Sequence, residues 1–223
     1  MNRDLPSYPF WADHEIDTAI PAALEQMELC RVLAYPTETV YGFGGAIDRE
    51  SVANLIKLKS RQPGKPFLLL IDGSDMLTGL DLQISSYAGT LAARFWPGPI
   101  TLVLPGGHGR VPDALRGPEG GVAVRWTSHP AIQRLIRAHG DAITSTSANR
   151  PGVAPAMTVG EVLAQWPDAI ARGDLRVLDG GRLVPSDPST VIDCMGRHPR
   201  VIRRGAVPAR VLRESVPELI GDA

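Results

Sequence analysis

What most constrains this chain is its rhythm of short apolar runs, about eight by the length rule for buried strands, set between helical patterns and frequent Pro and Gly. Arg31 to Tyr35, Phe67 to Ile71, Ile100 to Leu104, Val122 to Arg125, Ile143 to Ser145, Arg176 to Leu178, Thr190 to Ile192 and Val201 to Arg203 read as strands. Asp17 to Glu28 has helical spacing. Asp48 is placed to cap a helix carrying Val52, Leu55, Ile56 and Lys59, and Ser85 to Phe95, Ala131 to Ala138 and Val159 to Trp166 are also helical. Trp96-Pro97-Gly98-Pro99 ends the third of these. Helices join some strands and loops alone join others, which predicts an α/β fold with a twisted sheet of mixed parallel and antiparallel strands and flanking helices. No repeat or linker divides the chain, so one domain over 1–223 is expected, with a core of about 17–208 and a tail at 209–223. The Gly- and Pro-rich stretch Pro105 to Gly121 reads as a mobile surface loop.

Composition excludes several classes. A net charge of −1 gives no bulk field for coating nucleic acid. The only cysteines, Cys30 and Cys194, offer neither a disulfide framework nor a thiolate zinc site. The segment Met1 to Asp17 is studded with charges and lacks the apolar core of a signal peptide, and no apolar run reaches membrane-spanning length, so a cytoplasmic protein is expected. The five histidines are scattered, and Gly-x-Ser-x-Gly, Walker and dinucleotide glycine patterns all fail; Ile47 stands where the third glycine after Gly42 and Gly44 belongs.

Four polar loops remain at strand or helix ends, where α/β proteins build sites. Thr37, Glu38 and Thr39 lie between Pro36 and Gly42. Lys59-Ser60-Arg61 closes a helix and runs into Pro63-Gly64-Lys65-Pro66; the chain's only lysines, Lys57, Lys59 and Lys65, all fall here, and with Arg61 they make either a dipole-complementing helix end or a phosphate clamp. Thr144 to Asn149 carries five hydroxyl or amide side chains in six residues, more than a turn needs and suited to a polyanion or polar small molecule. Ser189-Thr190 and Arg203-Arg204 form the fourth, which an exposed turn explains equally well.

Together the loops resemble the threonylcarbamoyl-AMP synthase family, the YrdC-like proteins. The resemblance covers about Asp17 to Pro208 and rests on PTETVYG at Pro36 to Gly42, the K-x-R of Lys59 and Arg61, and WPGPITLVL at Trp96 to Leu104. It continues in VAVR at Val122 to Arg125, the S-x-N of Ser147 and Asn149, and PSTVID at Pro188 to Asp193. It implies a cavity lined with positive charge, in which L-threonine, bicarbonate and ATP become threonylcarbamoyl-adenylate and pyrophosphate. A separate transferase complex then modifies tRNA beside the anticodon. Carried over by motif, Lys59, Arg61, Ser147, Asn149 and Arg203 would hold ATP, Lys59 and Arg61 being catalytic. Thr37, Arg125, Ser145 and Ser189 would hold threonine, and Mg²⁺ would arrive on the triphosphate rather than in a protein site.

Two positions depart from the family pattern: Leu70 stands where many members have a substrate-touching histidine, and Pro188 where a glutamate is usual. The extra C-terminal domain of longer relatives is not expected here. Two other readings are a non-catalytic RNA-binding module, with at most weak tRNA affinity, and a paralogue acting on another carbamoylated substrate.

Overall fold

A computed structural model describes residues 7–61 and 65–221. In chain order the strands are β1 (Tyr8–Pro9), β2 (Val32–Tyr35), β3 (Gly42–Gly44), β4 (Leu68–Ile71), β5 (Ile100–Leu104), β6 (Val122–Trp126), β7 (Ile143–Ser147), β8 (Leu175–Asp179), β9 (Thr190–Asp193) and β10 (Arg200–Arg203). The helices are α1 (Asp13–Glu28), α2 (Arg49–Lys59), α3 (Asp75–Gly79), α4 (Ser86–Phe95), α5 (Pro130–His139), α6 (Val159–Gln165), α7 (Pro167–Ala171) and α8 (Ala209–Arg213). The strands form one sheet in the order β1-β8-β2-β3-β7-β4-β6-β5-β9-β10. Pairs β1/β8, β2/β8, β4/β6 and β5/β9 are parallel, and β2/β3, β3/β7, β4/β7, β5/β6 and β9/β10 are antiparallel. This is the mixed α/β sheet that the connection pattern predicts.

Alternation along the strands assigns each residue a face. On one face Ala34, Phe43, Leu69, Ile71, Leu102, Val124, Val177 and Ile192 form a buried layer with Val52 and Leu55 of α2, Leu91 of α4 and Val162 of α6. On the other, Leu33, Tyr35, Leu70, Ile143 and Leu178 meet Ile16, Ala19 and Ala23 of α1 and Ile132, Leu135 and Ile136 of α5. These two helices cover only part of the second face. Beyond them Leu68, Thr101, Val103, Ala123, Arg125, Ser145, Ser147 and Val191, all on that face, line an open cavity.

Local sequence explains the helix that carries the K-x-R segment. Asp48 caps α2 as expected, its carboxylate accepting from Glu50 N and Ser51 N at 2.9 Å each. At the other end Ser60 takes the left-handed conformation (φ 47°), and Arg61 N donates back to Ile56 O at 3.1 Å, which turns the chain sharply between Lys59 and Arg61. Pro63 and Gly64 lie outside the described residues.

The structure also departs from the sequence expectations. α1 begins at Asp13 rather than Asp17, the strands β1 and β3 and the short α3 and α7 were not foreseen, and Gly42–Gly44 is a strand rather than loop. The 209–223 tail contains α8, and Leu212, Val216 and Leu219 are buried, as are Phe10 and Ile16 before the expected core. The stretch Pro105 to Gly121 is a packed loop: Val111 and Leu115 are buried, and Arg116 Nη1 donates to Gly106 O at 2.9 Å and Gly120 O at 2.8 Å. No helix among the described residues is long and apolar enough to cross a membrane.

Gly44 has no room for a side chain, since an added Cβ would stand 1.7 Å from Thr144 O and 2.6 Å from the Tyr35 hydroxyl. Backbone cannot move as a flexible side-chain tip can. Gly44→Ala is therefore expected to destabilise the protein by about 3 kcal/mol, the upper end of overpacking costs, read as a lowered urea midpoint; an unchanged midpoint would contradict the tight seam.

Candidate active site

The cavity on the uncovered half of the second face has a volume of about 770 Å³. The structure brings seven of the nine sequence-derived candidates to its wall: Thr37, Arg61, Arg125, Ser145, Ser147, Ser189 and Arg203. They arrive from six places in the chain. Ser145 and Ser147 stand two apart on β7, Arg125 comes from β6, and Arg203 ends β10. Ser189 precedes β9, and Thr37 and Arg61 follow β2 and α2.

The side chains are held by a dense set of polar contacts. The Thr37 hydroxyl donates to Val40 O at 2.7 Å and accepts from Thr39 N and Val40 N at 3.2 Å, so it shapes the loop that carries it. Arg61 donates through Nε to Lys65 O (2.6 Å), through Nη1 to Thr146 Oγ1 (3.2 Å) and through Nη2 to Pro66 O (2.9 Å), and its guanidinium lies 4.7 Å from the centre of the Phe67 ring. Arg203 Nη2 donates to the Ser189 carbonyl at 2.6 Å and the Ser189 hydroxyl at 3.0 Å, and that hydroxyl also meets Thr101 Oγ1 at 2.8 Å. Burial lowers the pKa of both arginines, and for Arg203 the Arg125 charge lowers it further. Arg125 is itself buried, with Glu38 Oε1 3.6 Å from its Nε.

Lys59 and Asn149 are placed differently from the sequence expectation, just behind the wall. The Lys59 ammonium donates to Ser147 O at 2.8 Å, to Asn149 Oδ1 at 3.1 Å and to Asn149 O. A lysine has three N–H donors, so all three are engaged by the S-x-N loop. Asn149 Oδ1 also accepts from the Ser147 hydroxyl at 2.6 Å, and its amide donates to Val153 O at 2.7 Å. The lysine thus fastens the loop, and among the described residues the cations on the cavity wall are Arg61, Arg125 and Arg203.

Leu70 is also misplaced by the sequence reading. It is fully buried in the layer under α1 and α5, in register with Arg125, while the β4 residue that lines the cavity is Leu68. Pro188 does line the cavity, and Ser189 beside it keeps two hydroxyl partners there. Thr101, Thr146 and Ser186 were overlooked as wall residues. For Thr101 the signal was present: a lone hydroxyl inside an aliphatic strand, at the position that alternation turns toward the open face. Among the described residues no group of three or more His, Cys, Asp or Glu side chains could hold a metal ion.

Burial, and then the neighbouring Arg61 charge, lowers the Lys59 pKa from 10.5 to about 8. The folded state therefore holds this proton less tightly than the unfolded chain does, and the cost of burying the ammonium is relieved as pH rises through about 8 toward 10.5. Relative to Lys59→Met, the native protein is expected to gain stability between pH 8 and pH 10.5. Denaturant midpoints measured in parallel across that window check it, and a constant difference would refute it.

Comparisons with known proteins identify the family and the fold. The Sua5/YciO/YrdC family model, described as "Telomere recombination", matches residues 26–205. A protein of Chromohalobacter salexigens named threonylcarbamoyl-AMP synthase is 37% identical over 163 residues, 73% of this chain and 85% of the relative. One of the same name from Escherichia coli K12 is 37% identical over 174 residues, 76% of this chain and 89% of the relative. Among solved structures, P. abyssi Sua5 complexed with L-threonine superposes with a TM-score of 0.83 at 31% identity, over 92% of this chain and 59% of that longer one. E. coli YciO superposes with a TM-score of 0.76 at 26% identity, over 86% of this chain and 92% of that one. A family model spanning most of the chain, with relatives alike in both sequence and sheet, places this protein in the Sua5/YciO/YrdC family.

Proposed function

We propose that this chain is an L-threonylcarbamoyladenylate synthase, a nucleotidyltransferase that joins L-threonine, bicarbonate and ATP into threonylcarbamoyl-adenylate with release of pyrophosphate. The observation that carries this reading is one cavity whose wall brings Arg61, Arg125 and Arg203 together with the hydroxyl residues Thr37, Ser145, Ser147 and Ser189. Neither cysteine is on that wall. Such a wall suits a reaction in which the substrates supply both nucleophile and leaving group, and the protein supplies alignment and positive charge. The relatives named threonylcarbamoyl-AMP synthase and the threonine complex of P. abyssi Sua5 support the same reading.

The chemistry divides among the residues by charge and shape. The threonine amine and bicarbonate form a carbamate with loss of water, and a carbamate oxygen attacks the α-phosphorus of ATP while the bond to the β-phosphate oxygen breaks and pyrophosphate departs. Arg125 would take the threonine carboxylate, with Ser145 and Ser189 offering hydroxyls to its remaining polar atoms and Thr37 shaping the loop beside them. Arg61, Ser147 and Arg203 would meet the triphosphate and the charge that grows on pyrophosphate. Lys59 and Asn149 would act by holding Ser147 and its loop in place. With guanidinium and hydroxyl groups as the main donors, the wall has no carboxylate cage, so Mg²⁺ would be held by the nucleotide's own phosphates, whose negative charge it partly neutralises. The product is a mixed anhydride that a separate transferase would place on tRNA. Leu70, on which a paralogue with another substrate would lean, lies off the cavity wall.

Purified protein given ATP, Mg²⁺, bicarbonate and L-threonine is expected to release pyrophosphate only when all are present, with the adenylate seen by mass spectrometry. Pyrophosphate that does not depend on threonine would overturn the reading. Arg61→Ala is expected to lower turnover by about 100-fold or more, as loss of one charge-stabilising donor does, with the native circular dichroism retained; full activity would remove Arg61 from the phosphate site.

A further inference from the structure

We propose that Glu38 is a positioning residue for this reaction: it holds Arg125 by the Nε edge, so that the terminal fork of the guanidinium is presented to the carboxylate of the substrate. The inference rests on the assignment of Arg125 to threonine made above and adds a residue outside the cavity wall.

One hydrogen bond fixes the Glu38 carboxylate, and two more brace its donor. Its Oε2 accepts from the Thr127 hydroxyl at 2.7 Å, and Thr127 is fully buried. The Thr127 oxygen in turn accepts from His129 N at 3.2 Å, and Thr127 O accepts from Gln133 Nε2 at 2.8 Å, which ties the residue to the start of α5. With Oε2 pinned this way, Oε1 faces Arg125 Nε at 3.6 Å. Both of those atoms are buried and neither has a hydrogen-bond partner among the described residues. The separation is an ion pair but too long for a hydrogen bond, so the carboxylate orients the arginine without occupying its donors.

Charge makes the arrangement necessary. The Arg125 side chain is 4% exposed and that of Glu38 15% exposed, so an unpaired guanidinium there would carry a large desolvation cost. Arg203 stands close enough for the Arg125 charge to disfavour its own. Glu38 offsets one of these two neighbouring cations, and its approach from the Nε side leaves the cavity side of Arg125 open to a planar carboxylate, the geometry a guanidinium fork recognises best. Two other titratable groups feel the carboxylate: His129, which is buried with Nδ1 unpartnered among the described residues, and the buried Tyr35, whose hydroxyl donates to Thr144 O at 2.8 Å.

The test compares Glu38→Gln, Thr127→Val and Thr127→Ser with the native protein. Glu38→Gln keeps the shape, removes the charge and is expected to raise the KM for threonine about ten-fold or more, as sub-ångström misplacement of a binding group does. The kcat at saturating threonine and the KM for ATP should stay within about two-fold. Thr127→Val should move threonine KM in the same direction and Thr127→Ser should restore it. The Nε–H resonance of Arg125, identified by its loss in Arg125→Lys, should shift in Glu38→Gln and Thr127→Val but not in Thr127→Ser. An unchanged threonine KM with an unshifted resonance would overturn the proposal, as would equal rises in the KM values for threonine and ATP. If Glu38→Gln fails to fold, the Thr127 pair decides by the same readouts. A native protein that uses no threonine would refute the functional reading, while the resonance would still report whether Glu38 holds Arg125.

Discussion

The close approach of Gly42–Gly44 to Thr144 is the contact on which the rest of the molecule hangs. β3 is the strand that joins the β1-β8-β2 side of the sheet to the side running from β7 to β10. A Cβ at Gly44 would overlap the Thr144 carbonyl, so this seam closes only where the side chain is a hydrogen. The same carbonyl accepts the Tyr35 hydroxyl at 2.8 Å, and the Thr144 hydroxyl is within 3.0 Å of Gly45 N. Once β7 is locked here, Ser145, Thr146 and Ser147 are delivered to the cavity in fixed order.

The cavity follows from incomplete cover. A mixed sheet with two apolar faces needs helices on both, and here α1 and α5 pack over only one part of the second face. On the rest of that face polar side chains enter the alternation: Thr101, Arg125, Ser145 and Ser147 stand among Leu68, Val103, Ala123 and Val191. Loops from four parts of the chain wall it in, and their own hydrogen bonds hold them. Partial burial strengthens the field of the arginines, since water screens them less than on an open surface. The lowered pKa values of Arg61 and Arg203 report the cost of that placement.

A site of this kind performs adenylation through placement. Nothing on the wall need become covalently attached to substrate, so geometry, charge and the exclusion of water carry the rate. This explains why so many contacts are spent on loop shape. The Lys59 ammonium is saturated by three acceptors of one loop, and the Thr37 hydroxyl by the turn it sits in. The lysine contacts fix the position of Ser147, which lines the open space.

How much was legible in the residues varies with the range of the interaction. Period and capping foretold α2 and its Asp48 cap, the helix ending at Trp96, and most strands to within one or two residues, because those signals are local. β1 and β3 were missed because two or three residues carry no period, and two of the three in β3 are glycines whose role appears only beside β7. The hydroxyl-rich and cation-rich loops announced the site, since five small polar side chains in six residues have no core or turn explanation. The direction in which Lys59 points, the burial of Leu70 beside Arg125, and the hold of Glu38 on that arginine all depend on strands far apart in the chain. By itself, then, the sequence determined the element types and the chemical inventory of the site, which are set by periodicity and side-chain chemistry. Only the tertiary structure decided which groups face the cavity and which serve as its supports, because that depends on strand register and on where the helical cover ends.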